Sequence, residues 1–292
     1  MLRRATKLDY AERMARVVAH IGEHLDEALD LERLAGVACF SPYHFHRTYR
    51  LVVGETPDQT IRRLRLHRAA VALSEVEPPL AEIAQRAGYG SSEAFSRAFT
   101  SAYGHTPSTY RAQRVFGELP RGGMTPPPPP GTLAEELAYE VEIKPLPGFR
   151  LFGLPHRGDY NTIVAVFEKV FALGAAHGLL TPETRDFGIY YDDPGSLPAE
   201  ELRSFAGIAV GPDAVRPDDF EEADIPAGRA ACLLYKGPYA DLDRAYHFLF
   251  GRWLPQSGRE PANVPAYEEY LNDPKSLPPS EWLTEVCLPL ED

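Results

Sequence analysis

The sequence predicts a multidomain chain: an all-α N-terminal part, a linker, and an α+β C-terminal part with pseudo-two-fold symmetry. Three observations predict it. First, Ser41-Pro42-Tyr43-His44-Phe45-His46-Arg47-Thr48-Tyr49-Arg50, leading to Gly54-Glu55-Thr56-Pro57, is nearly repeated by Ser91-Ser92-Glu93-Ala94-Phe95-Ser96-Arg97-Ala98-Phe99-Thr100, leading to Gly104-His105-Thr106-Pro107. Second, residues 140–292 contain a repeat of their own. Glu142, Pro147, Arg150, Gly158, Tyr160, Ile163, Phe167 and Phe171 match Glu221, Pro226, Arg229, Gly237, Tyr239, Leu242, Tyr246 and Phe250 at offset 79. One residue is then inserted, and Gly178, Phe187, Tyr190, Asp193, Pro194, Ser196, Leu197 and Pro198 match Gly258, Tyr267, Tyr270, Asp273, Pro274, Ser276, Leu277 and Pro278 at offset 80. Third, a Gly- and Pro-rich stretch separates the two repeats. Self-similarity at a fixed period marks one supersecondary unit used twice.

Residues 8–114 read as helical. Met14, Val17, Val18, Ile21 and Leu25 recur at helical spacing. Asp30 can cap Leu31–Ala38, and Ser41 caps the next helix with Pro42 at its first position, where a missing N–H costs nothing. Gly54 ends that helix. Pro57 opens a longer one, to about Glu75, in which Ile61, Leu64, Leu66, Ala69 and Ala70 alternate with Arg62, Arg63, Arg65 and Arg68. After the break at Glu77-Pro78-Pro79 come a short helix Leu80–Arg86 ended by Gly88, a helix capped by Ser91, and Pro107–Arg114.

Residues 115–139 read as a linker, with Gly117, Gly122, Gly123 and the five prolines Pro126–Pro130. Those prolines would form a stiff spacer of roughly 15 Å; a proline-rich docking motif for a partner is the alternative. Each half of residues 140–292 reads strand, strand, helix, strand, loop, strand. Two such halves predict antiparallel sheets about a pseudo-two-fold axis, with a ligand cleft between them.

Net charge is −12 for the whole chain but unevenly divided. Residues 1–114 hold 16 Lys and Arg against 13 Asp and Glu, a net of +3, and residues 115–292 hold 14 against 29, a net of −15. The first part can approach phosphate and the second is repelled by it. Cys39, Cys232 and Cys287 are widely spaced with no Cys-x-x-Cys pair, which argues for a reducing compartment and against a disulfide framework. No apolar run has the length of a membrane span and no signal peptide is legible, so a cytoplasmic location without membrane contact is expected. His44 and His46 diverge on a helix, His156, His177 and His247 have no ligand spacing, and no Gly-rich phosphate loop follows a strand. Neither metal nor cofactor is expected.

Helix, short turn and a second helix with a polar N-terminus form the helix-turn-helix pattern. Leu34, Ala35, Phe45 and Tyr49 lock the first copy; Ile83, Ala84, Phe95 and Phe99 lock the second. The residues between these anchors are expected to face outward: Tyr43, His46, Arg47 and Arg50, then Ser92, Glu93, Ser96 and Arg97. Arg47 and Arg97 can bond guanine bidentately or clamp phosphate, and Glu93 can accept from cytosine or complement its helix N-terminus. Double-stranded DNA, whose groove recurs about every 34 Å, suits two such helices in one chain. The copies share scaffold residues and differ outward, which predicts an asymmetric site.

Residues 31–111 resemble the DNA-binding domain of the AraC/XylS family of transcription regulators. The second copy carries the resemblance most densely, in Ile83-Ala84, Ala87-Gly88-Tyr89-Gly90-Ser91, Phe95-Ser96-Arg97-Ala98-Phe99, Gly104-His105-Thr106-Pro107 and Tyr110-Arg111. Cys39-Phe40 before the first cap departs from the family pattern. The resemblance implies two helix-turn-helix units on a long helix reading adjacent major grooves of promoter DNA, activation as the commoner mode, and RNA polymerase as a partner. Tyr43, His46, Arg47, Ser92, Glu93, Ser96 and Arg97 match its base-contacting positions.

The C-terminal part resembles the GyrI-like effector-binding fold. The matching residues are Gly158 and Tyr160, Gly237 and Tyr239, the run Ala266-Tyr267-Glu268-Glu269-Tyr270-Leu271-Asn272-Asp273-Pro274, and the segment Trp282–Leu290. The resemblance implies binding of small lipophilic or cationic aromatic compounds. The internal repeat adds that Glu268 aligns with Gly188, so the carboxylate at this position is present in one half alone. On a strand Glu268 and Tyr270 share a face. A glutamate among tyrosines would attract a cation and stack it. The expected ligand walls are Tyr160, Tyr190, Tyr239, Trp253, Glu268 and Tyr270. Some GyrI-like proteins are hydrolases of strained rings that use a glutamate with a tyrosine or tryptophan; Glu268 with Tyr270 or Trp253 would be the matching set. No enzymatic role is expected of this chain.

Overall fold

The structure, a computed structural model, describes residues 2–74, 78–113 and 139–291. The expected linker, Tyr139 excepted, lies outside these residues. Among the described residues, seven helices form the N-terminal part: α1 Leu2–Glu23, α2 Leu31–Ala38, α3 Pro42–Val53, α4 Pro57–Ser74, α5 Leu80–Arg86, α6 Ser92–Tyr103 and α7 Pro107–Gln113. Their starts follow local chemistry. Asp30 accepts the Arg33 amide and Ser91 accepts the Ala94 amide, each satisfying an orphan donor. Ser41 occupies the cap position of α3, but its side chain makes no capping bond. Gly54 and Gly104 end α3 and α6 at φ 88° and 75°, a left-handed turn that glycine adopts without a Cβ penalty.

The C-terminal part alternates strands and helices: β1 Val141–Leu146, β2 Phe149–Arg157, α8 Val164–Ala176, β3 Asp186–Tyr190, β4 Arg203–Val210, then β5 Glu221–Ile225, β6 Gly228–Lys236, α9 Asp243–Phe248, α10 Leu254–Ser257, β7 Ala266–Tyr270 and β8 Leu283–Leu290. The two halves have the same element order, as the repeat predicts. They do not form separate sheets. Among the described residues, all eight strands join one antiparallel sheet in the order β1-β6-β8-β7-β3-β4-β2-β5. Each half lends its first strand to the other: β1 pairs with β6 and β5 with β2. The central pair is β3 with β7, in a register that sets Gly188 opposite Glu268, Tyr190 opposite Ala266 and Asp186 opposite Tyr270. The two repeat-equivalent positions therefore meet at the axis.

The inserted residue of the second half also has a structural counterpart. The helix following β6 widens into a π-helical turn at Leu249–Trp253 before α10, within the stretch where the repeat offset changes. A π turn is the usual form of a one-residue insertion into a helix.

Apolar side chains are distributed in a way that the helical periodicity does not foretell. One core joins α1, α2 and α3 to β6, α9, the π turn and β8: Met14, Val17, Ile21, Leu34, Phe45 and Tyr49 share it with Leu233, Tyr246, Leu249, Phe250 and Leu288. A separate core holds the second helix-turn-helix, built on Leu66, Leu73, Ile83, Phe95, Phe99, Tyr103 and Tyr110. Helix α4 reaches from one to the other. Its arginines brace this frame: Arg63 pairs with Glu55, Arg65 donates to the Leu25 carbonyl, and Arg68 pairs with Asp26.

Candidate ligand site and nucleic-acid interface

A cavity of about 410 Å³ opens over the centre of the sheet, within the range of small-molecule sites. Its floor is the β3–β7 pair. Glu268 is 4% exposed. The Tyr246 hydroxyl donates to its Oε1 at 3.0 Å and the Tyr270 hydroxyl to its Oε2 at 2.8 Å. Tyr190 in turn donates to Tyr270, 2.7 Å away. Burial pushes the Glu268 carboxyl up to about 7, against the opposing pull of the two phenols and of Arg47. Burial, then the Glu268 charge, holds the hydroxyls of Tyr190, Tyr246 and Tyr270 well above their ordinary range, so they remain donors.

The axis explains why only one half carries the acid. A Cβ at Gly188 would stand 2.8 Å from the Tyr190 ring and 2.9 Å from the Tyr270 hydroxyl. The space that a second side chain would need is filled by the tyrosines that serve the first. The companion asymmetry is Tyr246, whose repeat counterpart is Phe167. The hydroxyl present in one copy alone is one of the two that donate to Glu268. That pairing was a signal available in the repeat, yet Tyr246 was not among the expected walls.

Of the expected ligand residues, Tyr160, Tyr190, Tyr239, Glu268 and Tyr270 line the cavity together. Tyr160 packs edge-on to Tyr190 at 4.8 Å, and its hydroxyl donates to the Arg203 carbonyl at 2.9 Å. Tyr239 packs edge-on to Tyr270 at 5.3 Å and is backed by Trp282 at 4.4 Å. Trp253 is a correction. It packs on the core shared with the N-terminal helices and does not line the cavity. Phe250, less than one turn before it, is buried in the same core and likewise does not line the cavity, so this stretch of the helix faces the N-terminal helices rather than the ligand.

The largest departure from expectation concerns α3. The sequence pattern predicts that Tyr43, His46, Arg47 and Arg50 face outward. In the structure Arg47 is 6% exposed and stands against the C-terminal part. Its guanidinium carbon lies 4.2 Å from the centre of the Tyr246 ring and 4.9 Å from that of Phe250, and Nη2 donates to the Asp192 carbonyl at 3.3 Å. Arg50 makes a bidentate pair with Asp193, at 2.9 and 3.0 Å. Burial alone would raise the Asp193 carboxyl; the Arg50 hydrogen bonds and the charges of Arg47 and Arg50 outweigh it and bring it down to about 2. His44 Nε2–H donates to the Ala262 carbonyl at 3.0 Å. Tyr43 remains 38% exposed, with its ring 6.5 Å from that of Tyr191, and His46 is half-buried. Arg47 and Arg50 both line the cavity. Helical periodicity shows that α3 has a second face but not what covers it.

On α6 the arrangement is the expected one. Phe95 and Phe99 are buried, Glu93 and Arg97 are exposed, and Ser92 and Ser96 are half-exposed on the same surface. Among the described residues, one helix of the duplicated pair thus leaves its outward side chains exposed, and the other is covered by the C-terminal part.

Cys232 and Cys287, far apart in sequence, face each other across β6 and β8 with sulfurs 3.0 Å apart. With Glu285 they form a group of three candidate metal ligands, but Glu285 is already paired to Lys144 at 2.6 Å. The hydrogen bond to Cys232, then burial, raises the Cys287 thiol far above its ordinary range, which disfavours the thiolate that a metal requires. Among the described residues no helix is long and apolar enough to cross a membrane.

Two family descriptions match the chain: a GyrI-like small molecule binding domain over residues 139–291 and a helix-turn-helix domain over residues 34–113. Similar curated proteins divide in the same way. The MmsAB operon regulatory protein of Pseudomonas aeruginosa is 39% identical over 100 residues, 34% of this chain and 33% of that protein. The regulatory protein SoxS of Escherichia coli is 38% identical over 95 residues, 32% of this chain and 89% of SoxS. The DNA gyrase inhibitor of Erwinia billingiae is 33% identical over 127 residues, 42% of this chain and 79% of that protein. The matched segment spans a third of the length of the first of these relatives.

Proposed function

The chain belongs to the GyrI-like small-molecule-binding family and carries an AraC-type helix-turn-helix domain ahead of it, and on that footing we propose that it is a ligand-responsive transcription regulator whose effector is a lipophilic aromatic cation. The observation that carries the ligand class is the buried Glu268 carboxyl, held by two phenols in a cavity walled by Tyr160, Tyr190, Tyr239 and Tyr246. A carboxylate in such a cage is stabilised by an incoming cation, and the ring faces add cation–π attraction of about 0.5–2 kcal/mol each. Binding of tetraphenylphosphonium, measured by calorimetry, should be lost or weakened at least ten-fold in Glu268→Gln. Equal affinity in the two proteins would remove Glu268 from the site.

The DNA contacts we assign are Ser92, Glu93, Ser96 and Arg97 on α6 and Tyr43, His46, Arg47 and Arg50 on α3, with promoter activation and RNA polymerase contact as the output. We read the pocket as binding rather than catalytic. Both Glu268 oxygens are engaged by phenols that brace it, and Trp253 is outside the cavity. Incubation with strained-ring compounds should leave them intact; turnover abolished by Glu268→Gln would replace this reading with a hydrolase.

A further inference from the structure

The wall of the cavity nearest α9 is not made by the C-terminal part alone. Arg47, from the helix expected to read DNA, lies over Tyr246, whose hydroxyl holds Glu268. A guanidinium over an aromatic face beside a carboxylate is the arrangement proposed above for the effector. We infer that Arg47 is the chain's own occupant of the cation site, and that an aromatic cation entering the cavity replaces it and releases α3 to DNA. This rests on the cationic reading of the pocket.

Three features of the C-terminal part exist in one half only, and all three serve this docking. The loop Asp193-Pro194-Gly195-Ser196 recurs as Asp273-Pro274-Lys275-Ser276. In both, the aspartate caps its own turn: Asp193 accepts the Ser196 hydroxyl at 2.8 Å and Asp273 accepts the Lys275 amide at 2.9 Å. The turn therefore accounts for the carboxylates but not for Arg50. Glycine at 195 does, since a Cβ there would lie 2.4 Å from the Arg50 guanidinium carbon. The second feature is Tyr246 in place of Phe167. The third is the π turn, whose Gly251 faces Leu51 of α3. One face of α3 cannot lie both in this dock and in a major groove. Occupancy of the pocket by a cation and of DNA by α3 then favour each other, by the same factor in both directions.

Two variants test this in the full-length protein. Gly195→Lys places in the loop the residue that its twin already carries, and it should expel Arg50. Leu51→Cys with Gly251→Cys, in a Cys39→Ser background, should cross-link the dock, because a Cβ at 251 lies 3.5 Å from that of Leu51, within disulfide range. Each protein is titrated with DNA selected from a random pool by Gly195→Lys, with and without tetraphenylphosphonium. Gly195→Lys should bind DNA roughly 5- to 100-fold more tightly than the unaltered protein without the cation, and should bind the cation more tightly without DNA. The cation should bring the unaltered protein toward the variant. The oxidised cross-linked protein should protect one groove segment, roughly 10 base pairs less than the same sample after reduction, whether or not the cation is present. Equal protection by oxidised and reduced protein would overturn the sequestration of α3. A cation that binds the unaltered protein yet leaves its DNA affinity unchanged would overturn the displacement of Arg47. Failure of the cation to bind any of the proteins would overturn the cationic reading of the pocket, and with it that displacement. The oxidised and reduced comparison would still judge sequestration by itself.

Discussion

The Glu268 carboxyl sits between two phenols and away from water, and its properties follow from that position. Because burial raises it to about 7, it is half-neutral near physiological pH. Affinity for tetraphenylphosphonium should therefore rise roughly ten-fold between pH 6 and pH 8, as the carboxylate forms. Calorimetry across that window checks this, and a flat profile would count against the carboxylate as counter-ion. Stability runs the other way. The folded chain keeps the Glu268 proton where the unfolded chain has lost it, so the stability that Glu268 contributes is complete below about 4.5 and is lost as pH rises through 7. Glu268→Gln should make the ligand-free protein more resistant to urea at pH 8, by roughly 1–3 kcal/mol, and no more resistant at pH 4. Gly188→Ala, which drives a methyl against Tyr190 and Tyr270, should cost roughly 1–3 kcal/mol in the same assay and weaken cation binding as well.

At the scale of elements, the two recognition helices share a scaffold but not a setting. Arg97 on α6 is exposed, so Arg97→Ala should weaken specific DNA binding by about 1–3 kcal/mol whether or not a cation is present. A gel-shift titration at fixed salt measures it, and unchanged affinity would take Arg97 out of the readout set. The helices themselves were legible because their signals are local: Asp30, Ser91, Pro42, Gly54 and Gly104 each act within a turn of where they stand. The cage was partly legible because Gly188 against Glu268 is a departure between aligned positions of the repeat. Trp253 was misplaced because nothing local in the sequence shows that the N-terminal helices cover its side of the helix. The setting of α3 was barely legible. Its outward residues suit a groove and suit the dock equally, since arginine stacks on tyrosine and pairs with carboxylate as readily as it binds phosphate. Gly195 opposite Lys275 was the one local trace of it.

At the scale of the whole molecule, the duplicated sheet provides a symmetric frame, and the departures from symmetry concentrate function on one side of it. Glu268 and Tyr246 build the acid cage of the cavity proposed to take the effector, and Gly195 and the π turn lie against α3 next to it. In the proposal made above, input and output meet through Arg47 and Arg50. The most direct test of this account is a thermodynamic cycle on the unaltered protein: DNA affinity with and without saturating tetraphenylphosphonium, and cation affinity with and without saturating DNA, at one salt concentration and one pH. The account predicts that both affinities strengthen by one common factor, of roughly five or more. A common factor of one, with both ligands bound, would contradict it.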